Sequence, residues 1–147
     1  MTLAKIVYAS LTGNTEEIAD VVAEALEEQD ITVEINECTQ VDAMDFEEAD
    51  ICIVATYTYD DGNLPDEIMD FYDELLELDL TGKTYGVVGS GDSFYDLYCI
   101  AVDKFDEAFA KIGATKGAEN VKIELACEED DIVKLEEFAK KVVEKAL

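Results

Sequence analysis

Apolar positions along the chain fall into two alternating patterns. Short continuous runs (LAKIVYA at 3–9, ADICIVAT at 49–56, KTYGVVGS at 83–90) are rich in β-branched residues and read as strands buried on both faces. ITVEI at 31–35 alternates, and with ENVKIEL at 119–125 it completes a set of five strands. Segments of helical period lie between them. NTEEIADVVAEALEEQ at 14–29 puts Ile18, Val21, Val22, Ala25 and Leu26 on one face, and LPDEIMDFYDELLEL at 64–78 opens on its proline and aligns Ile68, Phe71, Tyr72, Leu75 and Leu76. AVDKFDEAFAKIG at 101–113 aligns Val102, Phe105, Ala108, Phe109 and Ile112, with Gly113 at a C′ position. DDIVKLEEFAKKVVEKAL at 130–147 collects lysines in its last turns, where the helix dipole favours cations. CTQVDAMDFEEA at 38–49 is too polar and too short to read as a helix.

This alternation predicts an α/β fold: a doubly wound five-stranded parallel sheet with helices on both faces. The 147 residues contain one proline and no Ser/Pro-rich linker or repeat, so 1–147 is expected to form a single domain. In such a sheet a ligand binds beyond the carboxyl ends of the strands, where the strand order reverses.

Composition narrows the function classes. There are 37 acidic residues against 10 lysines, with neither arginine nor histidine, for a net charge of −27. Nucleic acid and anionic membrane surfaces are excluded as partners, because binding either begins with cations neutralising phosphates. The acids serve either solubility or the docking of basic partners, and charge alone does not choose between them. Cys38, Cys52, Cys99 and Cys127 form no C-x-x-C pair and read as reduced thiols. With no basic and apolar leader and no bilayer-length apolar run, the expected location is the cytoplasm.

Three loops fall on the carboxyl rim of the predicted sheet. SLTGNT (10–15) follows the first strand and opens a helix, so its unpaired amides and three hydroxyls make an anion site of neutral donors. Gly13 would let the backbone approach a ligand closely, and Asn14 suits a helix N-terminus. An ordinary polar N-cap fits the same residues. The loop has no G-x-G-x-x-G, no P-loop lysine, no acidic cluster and no Cys/Arg pair, and in so acidic a chain its neutral cradle suits a terminal phosphate monoester held in place and not transferred. TYTYDDGNLP (56–65) and GSGDSFYDLYC (89–99) add flat aromatic surfaces: Tyr57 and Tyr59 in one, Phe94, Tyr95 and Tyr98 in the other. These rings could clamp a planar ligand or simply pack on core edges. Gly62, Gly89 and Gly91 would let backbone groups reach the edge of such a ring.

The three loops, in this order on this pattern, resemble the flavodoxin family in its short-chain form: S-x-T-G-N-T, then A-T-Y-T-Y-x-D-G-x-L-P, then G-S-G-D-S-x-Y-D-x-x-C. The resemblance covers the whole chain, and ENVKIEL reads through without the insertion of the long-chain form. It implies a monomeric, low-potential one-electron carrier that uses non-covalent FMN and has no substrate site of its own. Ser10, Leu11, Thr12, Gly13, Asn14 and Thr15 would hold the phosphate, with a hydroxyl from Thr56 or Thr58. Tyr57 belongs to the same second loop, in which Tyr59 would be the inner aromatic, and Tyr95 would be the outer one. Gly89, Ser90, Gly91 and Asp92 would wrap the pyrimidine end, beside Tyr98 and Cys99. Leu97 stands where some members have tyrosine. Asp60 takes a place that is commonly glycine, next to the flavin N5.

The resemblance also implies a direction for the potential. The reduced flavin would sit among Asp60, Asp61, Asp92 and Asp96. Two like charges about 10 Å apart at an effective dielectric of about 20 repel by roughly 1.7 kcal/mol. The acids of 60–79 would face basic reductases and acceptor enzymes across small, transient interfaces. Two other readings stay open: an FMN-dependent NAD(P)H:quinone-type reductase, and a non-redox module for some other phosphate ligand.

Overall fold

The computed structural model describes residues 2–9, 13–57, 66–91, 100–124 and 128–147. Six strand segments form one parallel sheet: β1 (Leu3–Tyr8), β2 (Thr32–Glu37), β3 (Ile51–Tyr57), β4 (Thr84–Gly91), β5 (Thr115–Lys116) and β6 (Val121–Glu124). The order is β2-β1-β3-β4-β5, and β6 also pairs with β4, so five sheet positions hold six segments. The helices are α1 (Asn14–Glu27), α2 (Asp66–Leu75), α3 (Ile100–Lys111) and α4 (Glu129–Ala146).

The apolar runs are continuous because both faces are covered. Along β3, Cys52 and Val54 pack towards α2 and α3 with Phe46, Phe71, Phe105 and Phe109, while Ile51, Ile53 and Ala55 pack towards α1 and α4. β4 divides in the same way, with Tyr85 and Val87 on the first face and Val88 on the second. Gly86 lies under Phe138 of α4, and a Cβ there would stand 2.4 Å from the ring tip. Gly113 ends α3 in the left-handed region at φ 91°, as its position in the sequence predicts.

The structure adds short elements to the expected ones in two places. The 38–49 crossover contains two 3-10 turns, Cys38–Gln40 and Ala43–Glu48. Ala43, Phe46 and Ala49 are all buried at a spacing of three, which is the 3-10 repeat. Phe46 meets Phe71 edge-to-face at 5.6 Å and Phe109 at 5.8 Å, and Cys38 Sγ and Ala43 N donate to Glu67 O and Glu74 Oε1 of α2, which together hold this short, polar segment. The fifth strand lies within ENVKIEL as β6, and the two-residue segment β5 precedes it, separated by 117–120. A Cβ at Gly117 would lie 2.8 Å from Thr84 Cγ2 and 3.1 Å from Val142 Cγ2, so the chain there lies tight between β4 and α4.

Candidate functional site

β1 leads outward to β2 on one side, and β3 lies on its other side, so the strand order reverses between β1 and β3. Ala9 N donates to Ala55 O at 3.0 Å and carries this pairing to the carboxyl rim. A ligand crevice is expected at this point of an open parallel sheet.

The α1 N-terminus stands at the crevice. Its cap is Gly13 at φ 92° and ψ −12°, with no side-chain capping bond, and Asn14 is the first helical residue and not the cap. The left-handed conformation accounts for glycine here. Close packing does not, since nothing lies within 4 Å of a Cβ built at Gly13. Glu17 N bonds back to Gly13 O, so the first amides of α1 lie ahead of the helical hydrogen-bond pattern, as at any helix start.

Next to that start, Thr15 Oγ1 and Ser90 Oγ lie 2.9 Å apart, and both residues are buried. The pair joins the first and third of the loops singled out in the sequence. Ser90 is in register with Tyr57 and with Ile123 near the end of β4. Gly89 has a packing cause: a Cβ would stand 2.3 Å from Thr56 O and 2.5 Å from Val102 Cγ2. Gly91 ends β4, half-buried.

The described part of the second loop turns inward. Thr56 is fully buried, and its hydroxyl donates to Tyr57 O at 3.1 Å. Tyr57 packs against the core on the α2 side, and its hydroxyl donates to Glu67 Oε1 at 2.9 Å. Ser10, Leu11, Thr12, Thr58, Tyr59, Asp60, Asp92, Tyr95, Tyr98 and Cys99 lie outside the described residues.

Of two further rim residues, Glu67 figured in the sequence only among the acids of 60–79 and Tyr8 was not singled out. Glu67 anchors Tyr57, and its only sequence signal is its place in an acidic first turn. Tyr8 ends β1, where burial and then the charges of Glu16, Glu37 and Asp20 raise its hydroxyl above the ordinary tyrosine value. Burial likewise pushes the Cys52 thiol up to about 12 and raises Cys38, whose Sγ also donates to Glu37. Both are free, buried cysteines. Among the described residues, no His, Cys, Asp or Glu cluster could hold a metal ion, and no helix is long and apolar enough to cross a membrane.

An open parallel sheet of order 2-1-3-4-5, with a helix N-terminus and buried hydroxyls at its switch point, is a mononucleotide-binding architecture. Neutral donors fit a phosphate monoester that is held and not transferred. The flavodoxin family profile matches residues 6–138. The flavodoxin of Streptococcus pneumonia TIGR4 is 62% identical with a TM-score of 0.96, the alignment covering 98% of this chain and 99% of that one. A short-chain flavodoxin associated with a PDU bacterial microcompartment is 50% identical, with a TM-score of 0.98 over 100% of both chains. "Probable flavodoxin 2" of Bacillus subtilis (strain 168) is 37% identical over 147 residues, 98% of this chain and 97% of that protein. The chain belongs to the flavodoxin family. It is an FMN-binding electron carrier that passes electrons to redox partners and converts no substrate of its own, and the reductase alternative is not favoured.

Proposed function

We propose that residues 10–15 anchor the FMN phosphate at the β1/β3 switch point and that the protein docks basic redox proteins through the acids of 60–79, several of which are exposed on α2. The α1 N-terminus carries the anchoring assignment: a left-handed glycine at its cap, beside the buried Thr15–Ser90 pair. Bound FMN supplies the one-electron chemistry.

The protein's own residues anchor, orient and exclude water. Amides at the α1 start and the Thr15 hydroxyl would face the phosphate, and the positive end of the helix dipole favours a dianion there. Thr56 spends its proton on Tyr57 O, so Thr58 is the better candidate for a donor from the second loop. Tyr57 is held by the core and Glu67, which leaves Tyr59 as the inner aromatic contact and Tyr95 as the outer one. Gly89, Ser90, Gly91 and Asp92, with Tyr98 and Cys99, would border the pyrimidine end.

Charge is divided along the chain. Between Lys5 and Lys83 the chain contains no cation, and Lys5 is paired with Glu48 at 3.2 Å. The exposed positions of α1 include Glu16, Glu17, Asp20, Glu24 and Glu27, and those of α2 include Asp66, Asp70, Asp73 and Glu74. The other nine lysines follow α2 in sequence, on or next to β4, α3, β5, β6 and α4. The exposed acids of α2 would face a cationic partner and speed encounter at low salt. The same acids disfavour an anionic reduced cofactor, which supports a low potential. Buried, unpaired Cys38 and Cys52 are consistent with a reducing, cytoplasmic setting, and one domain spanning 1–147 would act as a monomer with its exchanging edge open.

The anchoring is tested by amide NMR on full-length protein loaded with FMN or with riboflavin. The Gly13, Asn14 and Thr15 amides are expected to move between the two states, because riboflavin lacks the phosphate. Unmoved amides would refute the assignment.

A further inference from the structure

The geometry points to Ser90 as a positioning residue for the phosphate anchor, acting through the Thr15 hydroxyl; this rests on the assignment of residues 10–15 to the phosphate. On its loop position alone Ser90 belongs with the pyrimidine end of the ring. Its side chain instead lies 2.9 Å from Thr15, a residue 75 positions away at the start of α1. The contact spans from β4 to the helix that follows β1, although β3 stands between those two strands in the sheet. Thr15 is 1% and Ser90 5% exposed, so bulk water cannot substitute for either partner.

Each hydroxyl has one proton, and a single contact uses only one of the two. If Ser90 donates to Thr15, the Thr15 proton is available to another acceptor; if Thr15 donates to Ser90, it is not. An anion at the α1 N-terminus selects the first arrangement, and Ser90, Thr15 and phosphate then form a directed series in which each bond polarises the next. Ser90 thereby sets the rotamer and the donor strength of Thr15 without touching the phosphate.

Dissociation constants for FMN and riboflavin, obtained by diluting loaded full-length protein and following flavin fluorescence, test this. Ser90→Ala is expected to weaken FMN about three- to tenfold, the size of one net hydrogen bond, and to leave riboflavin within about twofold. Thr15→Val should weaken FMN and abolish the Ser90→Ala effect, while Thr15→Ser should preserve it. The inference is overturned if Ser90→Ala weakens both flavins equally, changes neither, or costs as much in the Thr15→Val background as alone. A wild-type protein that holds riboflavin as tightly as FMN would instead refute the phosphate assignment itself.

Discussion

The Tyr85 hydroxyl in β4 donates to Asp106 Oδ1 of α3 at 2.5 Å, and the other carboxylate oxygen of Asp106 accepts from Lys116 at 2.9 Å and Asn120 at 3.0 Å. Lys116 belongs to β5 and Asn120 to the break before β6, so one carboxylate clasps both sides of the interruption to β4. Lys122 of β6 reaches Asp103 of the same helix at 2.8 Å. Two acids one helical turn apart on α3 therefore hold a strand that is too short to hold itself by ladder bonds.

Asp106→Ala is expected to destabilise the protein by roughly 2 to 3 kcal/mol, because it leaves three partners without an acceptor in a partly buried place. The loss should be local before it is global. Native-state hydrogen exchange would show it first at the Thr115 and Gly117 amides, which bond to Lys83 O and Tyr85 O at 2.8 Å. Protection unchanged at those amides would contradict the clasp.

The same group gives a pH signature. Burial pushes the Asp106 carboxyl up, but hydrogen bonds from Tyr85, Lys116 and Asn120 and the Lys116 charge outweigh it and hold the group below the ordinary aspartate value. A depressed carboxylate contributes stability that is complete above the unfolded value, about 3.9, and is lost as pH falls through the folded one. Acidification also relieves the self-repulsion of a chain at −27, so the comparison must be with Asp106→Asn. The urea-midpoint advantage of wild type over Asp106→Asn should hold from pH 7 to about 5 and shrink below about 4.

Gly89→Ala is expected to cost about 1 to 3 kcal/mol by overpacking against Thr56 O and Val102. If that packing is the whole reason for the glycine, the cost measured by urea unfolding is the same with and without saturating FMN. A cost that appears only in the presence of FMN would restore the ring-edge role expected from the sequence.

Asp60 lies outside the described residues, and the expectation for it comes from the family resemblance. Glycine reaches positive φ freely, while aspartate pays on the order of 1 kcal/mol or less. For a one-electron couple about 59 mV corresponds to about 1.4 kcal/mol, so Asp60→Gly should move the two couples apart by tens of millivolts in a redox titration.

Charge reversal separates steering from solubility. Asp70→Lys with Asp73→Lys on α2 should slow electron transfer to a basic partner and flatten its dependence on ionic strength, whereas Glu136→Lys with Glu144→Lys on α4 should do much less. Equal effects from the two pairs would mean that net charge alone matters.

The sequence by itself determined the strands, the helices and the class of fold, because burial on both faces writes an unbroken apolar run and burial on one helical face writes a 3.6-residue period. It also marked the loops that meet at the rim, since glycine, hydroxyl and aromatic residues are uncommon together at strand ends. The three-residue spacing of Ala43, Phe46 and Ala49 was legible too, though only to an eye looking for a 3-10 turn. Tertiary structure alone decided what depends on distant chain segments. The short segments β5 and β6 are anchored by Asp106 and Asp103 of α3. Gly89 is small because Val102 and Thr56 crowd it, and Tyr57 turns to the core because Glu67 is there to receive its hydroxyl. Ser90 faces Thr15 because the strand order brings β4 to the side of α1. Each of these is a contact across tens of residues, and local periodicity carries no information about the partner at the other end.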